Sequence, residues 1–118
     1  MALVFMTANP KKLLNDFDAR IAQHEASGKI TTWERDKDGD YTHKSDNWAK
    51  KAWFRPVVGL DRLTFNIIKP KNVNNITSPV YSYYHGHLLE TFLNHFDTQF
   101  SNGSATANCT SSDMCYAA

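Results

Sequence analysis

Residues 88–100, LLETFLNHFDTQF, leave a chain of this kind few ways to fold. Laid on a helix, Leu88, Leu89, Phe92, Leu93, Phe96 and Phe100 recur at i, i+3, i+4 and i+7 and make one broad apolar stripe. Glu90, Asn94 and Asp97 fall on the opposite side. A stripe of three phenylalanines and three leucines has to be covered, by a sheet or by another helix.

A second helix is expected over residues 9–27. Asn9 is a natural N-cap, Pro10 suits the first helical position and Gly28 supplies a stop. Leu13, Leu14, Phe17, Ile21 and His24 share one face, and Lys12, Asp16 and Arg20 lie four apart on the other. Residues 3–6 either extend this element or add a short strand.

From Ile30 the period changes to two. Residues 29–35, KITTWER, read as a strand. Asp36, Asp38 and Asp40 imitate the start of a calcium loop. However, the glycine comes two places early and the twelfth position is Asn47 rather than a glutamate. Asp38-Gly39 is a hairpin signal instead. Ser45-Asp46-Asn47 can cap a short turn at residues 48–51. Residues 52–58 and 62–69 form the clearest strand pair around Gly59-Leu60-Asp61, and Pro56 marks an edge strand or a bulge. Residues 69–79, with two prolines and three asparagines, are a loop. Residues 80–84 alternate and are aromatic, so they read as a last strand leading through His85-Gly86 into the helix, unless that helix already starts at Pro79.

The expected fold class is therefore α+β: an antiparallel sheet of four or five strands, with an N-terminal and a C-terminal helix on one face, as a two-layer sandwich. Residues 1–103 form the domain. Residues 104–118, serine-rich and carrying one charge, form a C-terminal tail whose removal should leave the fold intact. Cys109 and Cys115 both lie in that tail and are expected as free thiols. Trp33, Tyr41, Trp48 and Trp53 cannot all reach the helix-covered face. The simplest cover for the other face is a second copy, which predicts a homodimer.

Thirteen basic and twelve acidic side chains give a net charge of +1, which removes the electrostatic case for a nucleic-acid partner. No run approaches the ~18 apolar residues of a membrane span. MALVFMTA lacks the basic flank and length of a secretory signal, so the cytoplasm is the expected location and the sequons at Asn75, Asn102 and Asn108 carry no meaning there.

The densest chemistry lies at Tyr81, Tyr83, His85, His87 and Glu90, with Trp48 as a further aromatic wall. These are the candidate ligand-binding residues. His85, His87 and Glu90 are ligand types of zinc or iron sites. On one helix, though, the two imidazoles lie about 200° apart and cannot share an ion, whereas on a strand they could. His87 and Glu90 can instead pair at i, i+3. No metal, cofactor or catalytic residue is assigned, since there is no glycine-rich phosphate loop, nucleophile elbow or HExxH. An enzyme is not the expectation.

YYHGHLLETFLNHFD, together with DRLTFNIIKP and MTANPKKLL, resembles uncharacterised small α+β proteins encoded in bacterial integron gene cassettes. The resemblance covers the chain to about Phe100. It implies an accessory product of a mobile bacterial gene with a small, often dimeric body, and implies no activity. Two functions remain in view. One is a dimeric binding or interaction module. The other is a protein that binds a small molecule or a metal, or hydrolyses a substrate, with the cluster at residues 81–90.

Overall fold

The computed structural model describes residues 2–116; Met1 and the last two positions of the expected tail lie outside the described residues. In chain order the elements are β1 (Leu3–Met6), α1 (Pro10–Ala22), β2 (Trp33–Arg35), β3 (Tyr41–His43), β4 (Trp53–Val58), β5 (Arg62–Ile68), α2 (Ser78–Phe96) and β6 (Asn102–Ala105). The strands form one six-stranded antiparallel sheet in the order β2-β3-β4-β5-β1-β6. Leu13 and Phe17 of α1 and Tyr84, Leu88, Phe92 and Phe96 of α2 share one core with Phe5, Phe54, Leu63, Phe65 and Ile67 of the sheet. The chain is an α+β sandwich with both helices on one face.

The expected four or five strands become six through one loss and two gains. Residues 80–84 are not a strand; they are the first turns of α2. Thr77 accepts the Val80 amide with its side chain, and Pro79 occupies the start of the helix, where a missing N–H costs nothing. The aromatic run fits a helix as well as a strand, because Tyr81, Tyr84, His85 and Leu88 fall on one side at helical spacing. The gains are β1 and β6. Residues 3–6 pair on both sides, with β5 and with β6. Gly103 lets the two chains close up, since a Cβ there would lie 2.9 Å from Leu89 Cδ1 and 3.0 Å from the Phe5 ring.

The segment expected to be a dispensable tail is thus tied into the body over its described part. Beyond Ala105 it crosses to the C-terminal end of β5, where β1 has already run out, and fills the vacated edge. The Ile67 amide donates to the Asp113 carboxylate, the Met114 amide to Ile67 O and the Lys69 amide to Met114 O. Cys115 is buried and accepts the Ile76 amide at its carbonyl. Cys109 and Cys115 are joined in a disulfide rather than free, with Cα atoms 6.4 Å apart.

Elsewhere the local chemistry is direct. Asn9 caps α1 by accepting the Lys12 amide at 3.2 Å. The helix stops at Ala22, short of Ser27, because the chain turns at Gln23. Asp36 Oδ1 accepts the amides of Asp38 and Asp40, each at 2.9 Å, and Gly39 takes a φ of 84°, so the aspartates build the β2–β3 hairpin. Pro56 lies in β4 opposite Phe65, and β3 pairs with β4 only at Tyr41–Phe54. Gly59 N–H donates to Arg62 O, and alternation from there turns Pro56's nitrogen away from β5, to the side where β3 has ended.

Phe92 sits at the centre of the core. Its ring stacks on Phe5 at 4.3 Å and meets Phe17 at 5.0 Å, Phe96 at 5.2 Å and Phe65 at 5.6 Å. Phe92→Ala should cost about 3–5 kcal/mol in a denaturant titration; a loss below about 1 kcal/mol would mean the site collapses around the gap. Truncation after Gly103 should lower the thermal midpoint by more than about 5 °C, since it strips the acceptors from the Lys69 and Ile76 amides and half of β6.

Candidate functional site

The six candidate residues fall into three places. Five lie on α2, where successive residues turn about 100°, so His85 and His87 face different neighbours. His85 is buried. It stacks on Tyr81 at 3.9 Å, meets the Phe54 ring edge-on at 5.1 Å, and donates from Nδ1 to Tyr81 O at 2.7 Å. Tyr81 in turn donates to the Thr106 carbonyl at 2.7 Å, which ties α2 to the segment after β6. These two residues join helix to sheet.

Trp48, Tyr83 and His87 do come together. Trp48 stacks on Tyr83 at 3.9 Å and 10°, and Tyr83 stacks on His87 at 3.9 Å. His43 stands edge-on to this column, 5.2 Å from His87 and 5.1 Å from Tyr83. Behind it, Tyr84 Oη donates to Trp48 O and accepts the Lys51 amide, which fixes the 48–51 turn against α2. Glu90 lies elsewhere, exposed along a groove of about 650 Å³ between α2 and residues 29–32.

Tautomers decide what these histidines can do. His43 Nδ1 accepts the Ser45 amide at 3.1 Å, so in the neutral ring the proton sits on Nε2, which is buried without a partner atom. A protonated Nε2 cannot ligate a metal. Its surroundings are the rings of Trp33, Tyr83 and His87, each met at a steep angle, which suits an N–H directed at an aromatic face. In His85 the roles reverse: Nδ1 carries the proton and Nε2 is a bare acceptor in an apolar wall. Among the described residues no group of three or more His, Cys, Asp or Glu is placed to hold a metal ion.

Burial pushes His43 down from its ordinary pKa, and the neighbouring His87 adds to the shift. Burial likewise lowers His85 against the opposing pull of its bond to Tyr81 O and of Asp113. The buried Tyr41 phenol donates to Asp18 and is pushed up, first by burial and then by that carboxylate.

A second concavity was not foreseen. On the face of the sheet away from both helices, a cleft of about 690 Å³ has Trp53 and its cross-strand partner Ile68 as floor. Met114 and Tyr116 stand on its rim, 55% and 65% exposed. One wall is Asp36, Asp38 and Asp40; the other is Lys50, Lys69 and Lys71. Arg55 lies at the acidic wall in a bidentate pair with buried Asp40, at 3.0 and 2.9 Å. That bonded carboxylate, with Asp38 and Asp36 nearby, raises the Arg55 guanidinium above its already high pKa. The signal available in the chain was alternation: Trp53, Arg55 and Val57 oppose Phe54, and Met114 and Tyr116 oppose Cys115. The second of these lay in a segment with no expected structure.

Comparison with family models, curated proteins and solved structures returns no match. No helix among the described residues is long and apolar enough to cross a membrane.

Because His43 and His85 have lower pKa values folded than unfolded, the unfolded chain binds more protons between the two values. Their contribution to stability is fully present above the unfolded value of about 6.5 and is lost as pH falls through the folded values. The urea midpoint should therefore drop between pH 7 and pH 5, and the drop should shrink in His85→Phe. A midpoint flat over that range would show that neither ring is held neutral by the fold.

Proposed function

We propose that this protein is a small accessory binding module that works as a homodimer, its contact surface being the face of the sheet that carries no helix. The observation that carries this reading is the one-sided packing. Both helices cover the same face, and the other presents Val57 at 49% exposure and, four residues back along β4, the cleft of Trp53, Ile68, Met114 and Tyr116. Obligate dimers are commonly built on such mixed apolar faces, with aromatic and methionine side chains at the centre and charges at the rim. An accessory product of a bacterial integron cassette, as the sequence resemblance implies, fits this reading. The ligand-site alternative at residues 81–90 has less support, because Tyr81, His85 and Glu90 lie apart from Trp48, Tyr83 and His87.

The cytoplasmic expectation stands against the Cys109–Cys115 bridge, since disulfides persist in oxidising compartments. We favour an oxidising location, and Cys109→Ser, which cannot form the bridge, should lower the thermal midpoint by several degrees in oxidised protein while leaving it unchanged under reductant.

Light scattering and sedimentation over a range of concentrations test the dimer. The chain should run at twice its mass at tens of micromolar. Val57→Asp should weaken association at least tenfold while leaving the monomer folded, because that side chain is half exposed within one copy. A monomer at several hundred micromolar would end the proposal.

A further inference from the structure

The bare face has a polarity that its apolar centre does not require. Register fixes how the charges lie. Glu34 pairs with Thr42 in the β2–β3 ladder, and the Asp36–Asp40 turn follows it, so the acidic groups occupy the β2–β3 side of the face. Trp53 pairs with Ile68, and Lys69 to Lys71 run on from there beside Met114, with Lys50 ahead of β4, so the basic groups lie beyond the Trp53–Ile68 end of the face. Between them stand the Trp53–Ile68 floor and the Arg55–Asp40 pair. The two ends are not neutralised within the chain. Among the described residues the ion pairs are Lys12–Asp16, Arg35–Asp18, Arg55–Asp40 and Arg62–Asp61, and none takes Glu34, Asp38, Lys69 or Lys71.

Resting on the dimer reading above, we propose that the occupant of this face is a second copy docked about a two-fold axis that is parallel to the sheet, lies between the copies and runs at right angles to the line from Glu34/Asp38 to Lys69/Lys71, so that the acidic side of each copy lies over the basic side of the other. A patch that is acidic on one side and basic on the other is self-complementary under that operation, which is what an isologous interface needs. A two-fold axis along that line would instead set like charges against like and be repelled. Size is compatible. Six strands about 4.8 Å apart, three to seven residues long at about 3.3 Å each, give a face of roughly 400 Å² in projection, which side-chain relief brings towards the ~800 Å² per partner of a stable interface. The geometry also sets the salt response, because exposed complementary charges are screened within about 10 Å at 0.1 M salt.

Charge-swapped variants test the arrangement. Glu34→Lys/Asp38→Lys and Lys69→Glu/Lys71→Glu place like charges across the axis, and none of the four side chains is in an ion pair within one copy. Asp36 is left alone because it builds the hairpin. By sedimentation at low salt, each variant alone should associate at least tenfold more weakly than the parent chain, and an equimolar mixture should recover the dimer as a heterodimer. That recovery also shows that both variants are folded; far-UV circular dichroism of each alone shows it independently. A parent dimer that neither swap weakens overturns this docking and leaves the bare-face interface standing. Folded variants that weaken association but do not recover on mixing overturn it too. A parent chain that is monomeric throughout ends both proposals.

Discussion

The whole body hangs on the contact between Phe92 and four other rings from four different elements. Phe5 comes from β1, Phe17 from α1, Phe65 from β5 and Phe96 from the next turn of α2, and each lies within 5.6 Å of it by ring centre. Phe100, past the end of α2, folds back onto Phe5 at 5.0 Å and starts the chain towards β6. Aromatic side chains offer large buried area and preferred edge-to-face and offset-stacked geometries, so one such cluster sets the distance and angle of both helices to the sheet. With the helices placed by Phe92, the inner ends of Tyr81, Tyr84 and His85 are committed to packing. What remains of the aromatic surplus, Trp53 and Tyr116 among it, is left to the other face.

This division explains which parts of the chain were legible. The apolar stripe of α2, the capped start of α1, the Asp38-Gly39 turn and the paired strands around Gly59 each rest on interactions within a few residues. A single stretch of sequence carries those in full. The sheet's other half did not. Residues 3–6 are a strand only because residues 62–65 and 102–105 flank them, and the latter, Asn-Gly-Ser-Ala, have no strand propensity of their own. What makes that stretch a strand is a glycine small enough to sit under Phe5 and Leu89. Periodicity could not separate helix from strand in the five residues before His85, and the signal that could have done so, a capping side chain at Thr77, lay in the segment read as loop.

The candidate site was legible as composition and not as geometry. The helix divides four neighbouring residues between an inner stack, Tyr81 and His85, and an outer one, Tyr83 and His87, and leaves Glu90 to a separate groove; His43, forty positions from Tyr83, stands edge-on to the outer one. His43 and His85 differ in which nitrogen carries the proton, and a single hydrogen bond settles it in each case. Neither ring is poised for proton transfer to solvent, since both are sealed among aromatic side chains. The open cleft opposite them depends on the β3–β4 and β4–β5 registers together, and no local pattern records that combination.

The position of β1 has a consequence for how the chain acquires its fold. Met6 lies opposite Asn102 and Leu3 opposite Ala105, so this ladder joins residues about a hundred positions apart. Closing so long a loop costs entropy that local turns do not, and contacts of this kind slow folding. On the ribosome, β1 can meet β5 once the first seventy residues have emerged, and its far edge then stays unpaired while α2 is made. Until Asn102–Ala105 arrives, the nascent chain displays an open strand edge flanked by apolar side chains, which is the surface that chaperones and neighbouring chains find first.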